Sequence, residues 1–331
     1  MVTNELVEKQ MISRMETDNP WWSSGAIRED FMALMPRAYL ESFHSMVSNQ
    51  GVKRAFILMG PRRVGKTVMI YHNIQRLINE GVAPKNIVYL SVETPIYNGV
   101  ALEQLMHTAF KAVGKAFSPE ERYFVFFDEV QYLKDWEIHL KSLVDGYPNV
   151  RFVASGSAAA ALKKSSIESG AGRFTDFHLP PLTFYEYVQL HKQESLLTES
   201  QVGWNGRTMH IVESTDIQHL NHLFIDYINY GGYPEVAFNT EIQADPGQYI
   251  RHDIIDKVLM RDLPILYGIN DVQELNSVFT MIAYLSGNQF SFESLSQNTG
   301  VKKDTLRKYL EYLEAAFLID RKSTRLNSSH T

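Results

Sequence analysis

Gly60-Pro61-Arg62-Arg63-Val64-Gly65-Lys66-Thr67 satisfies the pattern G-x-x-x-x-G-K-[ST]. Before it runs Ala55-Phe56-Ile57-Leu58-Met59, apolar and short like a buried parallel strand; after it Ile70, Ile74, Leu77 and Ile78 recur at helical spacing. The order is therefore strand, loop, helix. In that setting Gly60 and Gly65 let the backbone approach a polyphosphate. Its charge meets the amide N–H groups of the loop, those of Arg62, Arg63 and Val64 included, with Pro61 shaping the turn without an N–H of its own, and the N-terminus of the helix entered through Lys66, Thr67 and Val68. Lys66 reaches the β and γ phosphates, and Thr67 offers its hydroxyl to Mg²⁺.

Further along, Asn86-Ile87-Val88-Tyr89-Leu90-Ser91-Val92 reads as a second buried strand, and Leu102, Leu105, Met106 and Phe110 mark a helix. Alternating strands and helices imply a parallel sheet in an α/β fold. A third strand, Tyr123-Phe124-Val125-Phe126-Phe127, ends in Asp128 and Glu129. It delivers Asp128 to a Mg²⁺ shell and Glu129, one residue on, to an attacking water. That second acid favours hydrolysis over transfer to a small-molecule acceptor. A fourth strand, Arg151 to Ala154, leads into Ser155-Gly156-Ser157, where either serine is a candidate γ-phosphate contact and a plain turn is the alternative. Gly170-Ala171-Gly172-Arg173-Phe174 precedes a fifth strand, Thr175 to Leu179. Arg173 is a candidate arginine finger, in cis or across a subunit interface, or else half of a surface ion pair.

The bulk properties fit this reading. A chain of 331 residues with 44% hydrophobic and 21% charged residues has material for a core and two or three domains. A net charge of −6 excludes a global attraction to nucleic acid or anionic membrane, and the absence of cysteine excludes disulfides and thiolate chemistry. Neither a signal peptide nor a membrane-spanning run is expected, which fits a cytoplasmic protein.

Six segments carry a family resemblance: 60–67, Phe127-Asp128-Glu129-Val130-Gln131, Ser155-Gly156-Ser157, Gly172-Arg173, Leu182-Thr183-Phe184-Tyr185-Glu186-Tyr187 and Gly231-Gly232-Tyr233-Pro234-Glu235. The chain resembles prokaryotic AAA-type ATP-binding proteins, which join a P-loop ATPase core to a C-terminal domain of poorly defined function. The resemblance implies ATP and Mg²⁺ as ligands and ATP hydrolysis in a five-stranded parallel sheet of order 5-1-4-3-2. It further implies a helical lid and a winged helix, often with a nuclease-like fold last, and it allows an oligomer.

On this basis the chain divides into a lead segment (1–35), the ATPase core (36–191), a helical lid with an inserted loop (192–270), a winged helix (271–320) and a polar, foreign-looking tail (321–331). Helical spacing from Phe31 to Met46 suggests a lead-in helix, and Asn19-Pro20-Trp21-Trp22 an aromatic cluster packed on the core. Residues 192–217 lack periodicity and read as a loop; Gly231 to Pro234 reads as a turn. His219 and His222 have metal-pair spacing without a third ligand and read as surface. Ile250, Ile254, Ile255, Val258 and Leu259 mark an amphipathic helix from which Arg261 could sense nucleotide. The helices expected at 272–285, 292–297 and 305–316 have the layout of a winged helix-turn-helix. Lys302, Lys303, Arg307 and Lys308 are offset by Asp304, Glu311, Glu314 and Asp320, so DNA and protein are equally open as its partner.

Overall fold

The computed structural model describes residues 2–49, 51, 53–115, 118, 120–157, 172–204 and 207–320. The tail at 321–331 and the Gly170-Ala171 part of the arginine loop lie outside the described residues.

Five strands form one parallel sheet: β1 (Ala55–Met59), β2 (Ile87–Ser91), β3 (Tyr123–Asp128), β4 (Val150–Gly156) and β5 (Phe174–His178). Their order is β2-β3-β4-β1-β5, which is the expected 5-1-4-3-2 read from the other edge. Strands covered on both faces explain the near-continuous apolar runs, and side-chain alternation sorts them. Ala55, Ile57, Met59, Val88, Leu90, Val125 and Phe127 face the helices Val2–Asp18, Leu102–Ala112 and Trp136–Gly146. Phe56, Leu58, Tyr89, Phe124, Phe126 and Val153 face Leu40–Ser48 and Lys66–Asn79. The same alternation, carried to the strand tips, puts Asp128 and Ser155 on the face of the 66–79 helix. The placement of both side chains at that edge is thus a consequence of strand parity.

The lead-in helix expected from Phe31 to Met46 is corrected to two pieces, Glu29–Met32 and Leu40–Ser48. Pro36 lies between them, and a proline disfavours helix at the residue before it. Trp21 is fully buried, and the indoles of Trp21 and Trp22 both donate to the Ile87 carbonyl, at 2.9 and 2.7 Å, so this cluster is core.

The loop expected at 192–217 is also corrected. It holds an antiparallel hairpin, β6 (Leu197–Trp204) with β7 (Arg207–Ser214), paired from Leu197↔Ser214 to Trp204↔Arg207. The intervening dipeptide is Asn205-Gly206, the sequence favoured where both turn residues need positive φ. The first strand continues from Leu197 into the polar run Thr198-Glu199-Ser200-Gln201, so no apolar alternation announces it.

Helices Ile217–Tyr230 and Pro234–Phe238 flank the Gly231-Gly232-Tyr233 turn. Wide π-helical turns follow at Ile250–Ile255 and Val258–Asp262. Helices Val272–Tyr284, Phe292–Thr299 and Lys303–Ala315 then share one core through Leu275, Val278, Leu295, Leu306 and Leu310. Val258, Leu259 and Leu263 insert into that core, so the π-helical segment is fastened to the C-terminal helices. Among the described residues no strand follows these helices; a wing after Ile319 would fall at 321–331. No helix of the described residues is long and apolar enough to cross a membrane.

Candidate functional site

Lys66–Asn79 begins directly after β1 and the 60–65 loop, so its N-terminus lies at the C-terminal edge of the sheet. The two glycines of the loop have different physical reasons. Gly65 sits at φ +93°, a region that residues with side chains rarely adopt, whereas a Cβ on Gly60 would stand 2.2 Å from the Leu179 carbonyl oxygen. Gly60 therefore lets the loop press against the end of β5. Arg63 also adopts positive φ, 65°.

Lys66 is 5% exposed, and its ammonium donates to the carbonyls of Gly60 and Pro61 at 3.0 and 2.9 Å. Burial pushes its pKa down, with the carboxylates of Glu129 and Asp128 opposing. Thr67 Oγ1 donates to Asp128 Oδ2 at 2.7 Å, joining two sequence segments that had been paired only by motif. Ser155 Oγ donates to Asp128 Oδ1, and the Glu129 amide donates to Ser155 Oγ at 3.3 Å. Asp128 is thus set among hydroxyls. A carboxylate beside a threonine hydroxyl is a hard oxygen pair, which suits Mg²⁺ rather than a soft metal.

Glu129 takes φ +56°, uncommon for a residue with a side chain. This bend turns the chain out of β3 and redirects the carboxyl group. Burial pushes the Glu129 carboxyl up, while the nearby Lys66 ammonium resists. Gln131 Nε2 donates to Glu129 Oε2 and, at 3.2 Å, to Ser157 Oγ. The two strand-tip serines therefore divide their work, Ser155 toward Asp128 and Ser157 toward Gln131.

Two side chains escape a motif search. Tyr89, 4% exposed on β2, donates to Asp128 Oδ2 at 2.8 Å; its strand and facing could be read from the apolar run, but not its target. Arg37 donates to Val64 O at 2.7 Å, to Pro180 O at 3.0 Å and to both Glu186 oxygens at 2.7 and 2.9 Å. It ties the crown of the phosphate loop to the segment leaving β5. No local pattern marks it.

The loop arginines meet carboxylates of residues 235–262. Arg62 pairs with Asp262 at 2.9 Å, and Tyr132 donates to the other oxygen of Asp262 at 3.1 Å. Arg63 pairs with Glu235 at 3.1 Å and Asp253 at 3.6 Å. Arg261, a candidate nucleotide sensor, lies with its guanidinium 5.1 Å from the centre of the Tyr132 ring, while its neighbour Asp262 makes the loop contact.

Arg173 is not brought to this site. Its carbonyl accepts from the Ala55 amide at 2.9 Å, which places it at the start of β1, and its side chain pairs with Asp145 at 3.0 Å. The phosphate loop leaves the other end of that strand, roughly 17 Å away at 3.3–3.4 Å per residue. The reading of Arg173 as a finger in cis is corrected accordingly. A cavity of about 420 Å³ also opens at the start of the strands, lined by Arg54, Arg122 and Arg151 among others. The Arg122 guanidinium donates to Ser48 O and that of Arg151 to Arg54 O, and the carboxylates of the site lie at the opposite edge. His219 and His222 are exposed, and no cluster of three metal-ligating side chains occurs among the described residues.

Residues 52–188 match the family described as AAA domain, and residues 221–327 match a domain of unknown function, DUF8612. An uncharacterized protein of Haemophilus influenzae is 26% identical over 267 residues, 79% of this chain and 60% of that protein. Two uncharacterized proteins of Methanocaldococcus jannaschii are 23% and 27% identical, covering 80% and 81% of this chain and 55% and 56% of theirs. The chain thus spans little more than half the length of these curated relatives. Among solved structures, the Saccharomyces cerevisiae Hsp104:casein complex is similar over 85% of this chain and 50% of that one, at 15% identity and a TM-score of 0.41. The replication initiator DnaA bound to AMPPCP and single-stranded DNA is similar over 85% and 90%, at 11% identity and a TM-score of 0.37. From the sheet order and the match over 52–188, the chain carries an AAA-type P-loop ATPase-like core.

Proposed function

We propose that the chain hydrolyses ATP with Mg²⁺ and that turnover moves the lid and a winged helix at 271–320 relative to the core. The observation that carries the reading is the 2.7 Å contact between Thr67 and Asp128, two oxygen ligands delivered by separate elements beside Lys66 and Glu129. Lys66 and the loop amides bind the β and γ phosphates; Thr67 and Asp128 would hold the metal. When bound, Mg²⁺ would supply neutralisation of the phosphate charge. Glu129 takes a proton from water as the water oxygen bonds to the γ phosphorus. The bond from that phosphorus to the β–γ bridging oxygen breaks, its electron pair leaving with ADP. Ser155 holds Asp128 in place. Arg173, at the far end of the sheet, can serve only the triphosphate of a second copy. The test is release of inorganic phosphate from ATP without any acceptor. Tight ATP retention without phosphate release would favour the alternative, a nucleotide-gated switch that binds DNA or protein, and stimulation by duplex DNA would identify the partner class. Lys303 already pairs with Glu293, and the Arg307 guanidinium lies over the Phe292 ring, so neither cation argues for DNA over protein.

Coupling to the C-terminal helices is supported by Asp262. Only 4% exposed, it holds Arg62 of the phosphate loop from the same turn that inserts Leu259 and Leu263 into the helical core. Phosphates arriving beside Arg62 compete with this carboxylate. Asp262→Asn keeps the shape and removes the charge. Without nucleotide it should speed amide hydrogen exchange over 250–262 roughly tenfold, equivalent to about 1.4 kcal/mol and modest for a buried ion pair. Exchange identical to wild type would exclude Asp262 from the coupling.

A further inference from the structure

We propose that Gln131 is a catalytic residue whose side-chain carbonyl oxygen and the Glu129 carboxylate accept hydrogen bonds from the two O–H groups of the attacking water; this rests on the ATPase reading above. Gln131 is 7% exposed and follows Glu129 in a short 3₁₀ turn, Val130–Tyr132, whose first residue is fully buried. Its amide nitrogen donates both to Glu129 Oε2 and to Ser157 Oγ. Those contacts decide which end of the amide is nitrogen, since the reverse assignment would set its oxygen against a carboxylate oxygen. The other end, Oε1, is buried and accepts no hydrogen bond among the described residues. Buried side-chain acceptors are seldom left unmet, and an orphan in a polar site marks a place for water. Because the two amide heteroatoms share one carbon, Oε1 belongs to the same planar group as the nitrogen that holds the Glu129 carboxylate.

A water approaching a γ phosphorus presents one lone pair to the phosphorus and has two protons to direct elsewhere. Glu129 can accept one as a base. The second stays on the oxygen and needs an acceptor that will not remove it, for which an amide carbonyl is suited. As the new phosphorus–oxygen bond forms and the bridging bond breaks, one proton passes to Glu129. The other remains on the phosphate product, hydrogen-bonded to Gln131 until release. Ser157 is then a positioning residue, acting through Gln131.

The test uses the full chain with ATP and Mg²⁺ and measures kcat and nucleotide Kd separately. Gln131→Leu keeps the bulk and removes the acceptor. It should lower kcat about 10- to 100-fold, the range for a misplaced reactant, with Kd within about twofold of wild type. Gln131→Asn, a polar control whose carbonyl falls one methylene short, should fold and lose turnover too. Since both groups act on one water, Glu129→Gln/Gln131→Leu should be no slower than Glu129→Gln alone. Wild-type kcat in Gln131→Leu, or a loss of affinity matching the loss of rate, would overturn the assignment to Gln131. A wild-type protein that binds ATP and releases no phosphate would instead overturn the ATPase reading, and the water with it.

Discussion

Glu129→Gln should bind ATP at least as tightly as wild type and hydrolyse it about 10²- to 10⁴-fold more slowly, the usual contribution of a general base. The substitution exchanges one carboxylate oxygen for an amide and changes little else. The amide oxygen can still accept from Gln131, and the backbone bend at φ +56° is as available to glutamine as to glutamate. What disappears is basicity. Binding should survive because the groups that meet phosphate, the loop amides and Lys66, are untouched. It should even gain, because the charge of Glu129 stands close to where the γ phosphate would come and repels it; burial already disfavours that charge. Phosphate release and equilibrium binding of a fluorescent ATP analogue, measured on the same preparation, separate the two effects. Equal turnover in the two proteins would remove Glu129 from the mechanism, whereas loss of both turnover and binding would show that its role is structural.

Legibility from sequence follows the reach of the interactions. The phosphate loop, the apolar strands and the acidic doublet are local patterns, each within about ten residues, and the strand order came with the family they resemble. Asp128 and Ser155 could be aimed because strand parity is a local property. Tyr89 shares that parity, yet its bond to Asp128 depends on β2 and β3 being neighbours, a fact of topology. The Arg62–Asp262 pair spans 200 residues and the Arg37–Glu186 pair 149, and an arginine on the sequence page carries no sign of its distant acid. The hairpin was legible in one place only. Asn205-Gly206 is strong turn chemistry, but Thr198, Glu199, Ser200 and Gln201 offer no apolar alternation to set beside it.

Arg37→Met should cost about 3–5 kcal/mol, the expected penalty for stranding one partner of a buried ion pair, and lower Tm by roughly 6–20 °C. Glu186 is 2% exposed and cannot shed its charge into water without opening the packing around the helix Phe184–Leu190. It also completes a capping box with Thr183, so disturbance there reaches the N-terminus of that helix. Arg37→Lys should be intermediate, because an ammonium replaces the charge but not the planar fork that meets both carboxylate oxygens and two carbonyls. The double variant Arg37→Met/Glu186→Met removes both charges and should regain much of the lost Tm, since paired buried ions contribute little net stability over apolar residues of similar size. It does not restore the donor to Val64 O at the crown of the phosphate loop. ATP affinity in the double variant should therefore stay below wild type although the fold has recovered. Wild-type affinity at restored Tm would make Arg37 a structural residue with no hold on the loop; weak binding at restored Tm would identify the Arg37–Val64 bond as the element that keeps the loop shaped for phosphate.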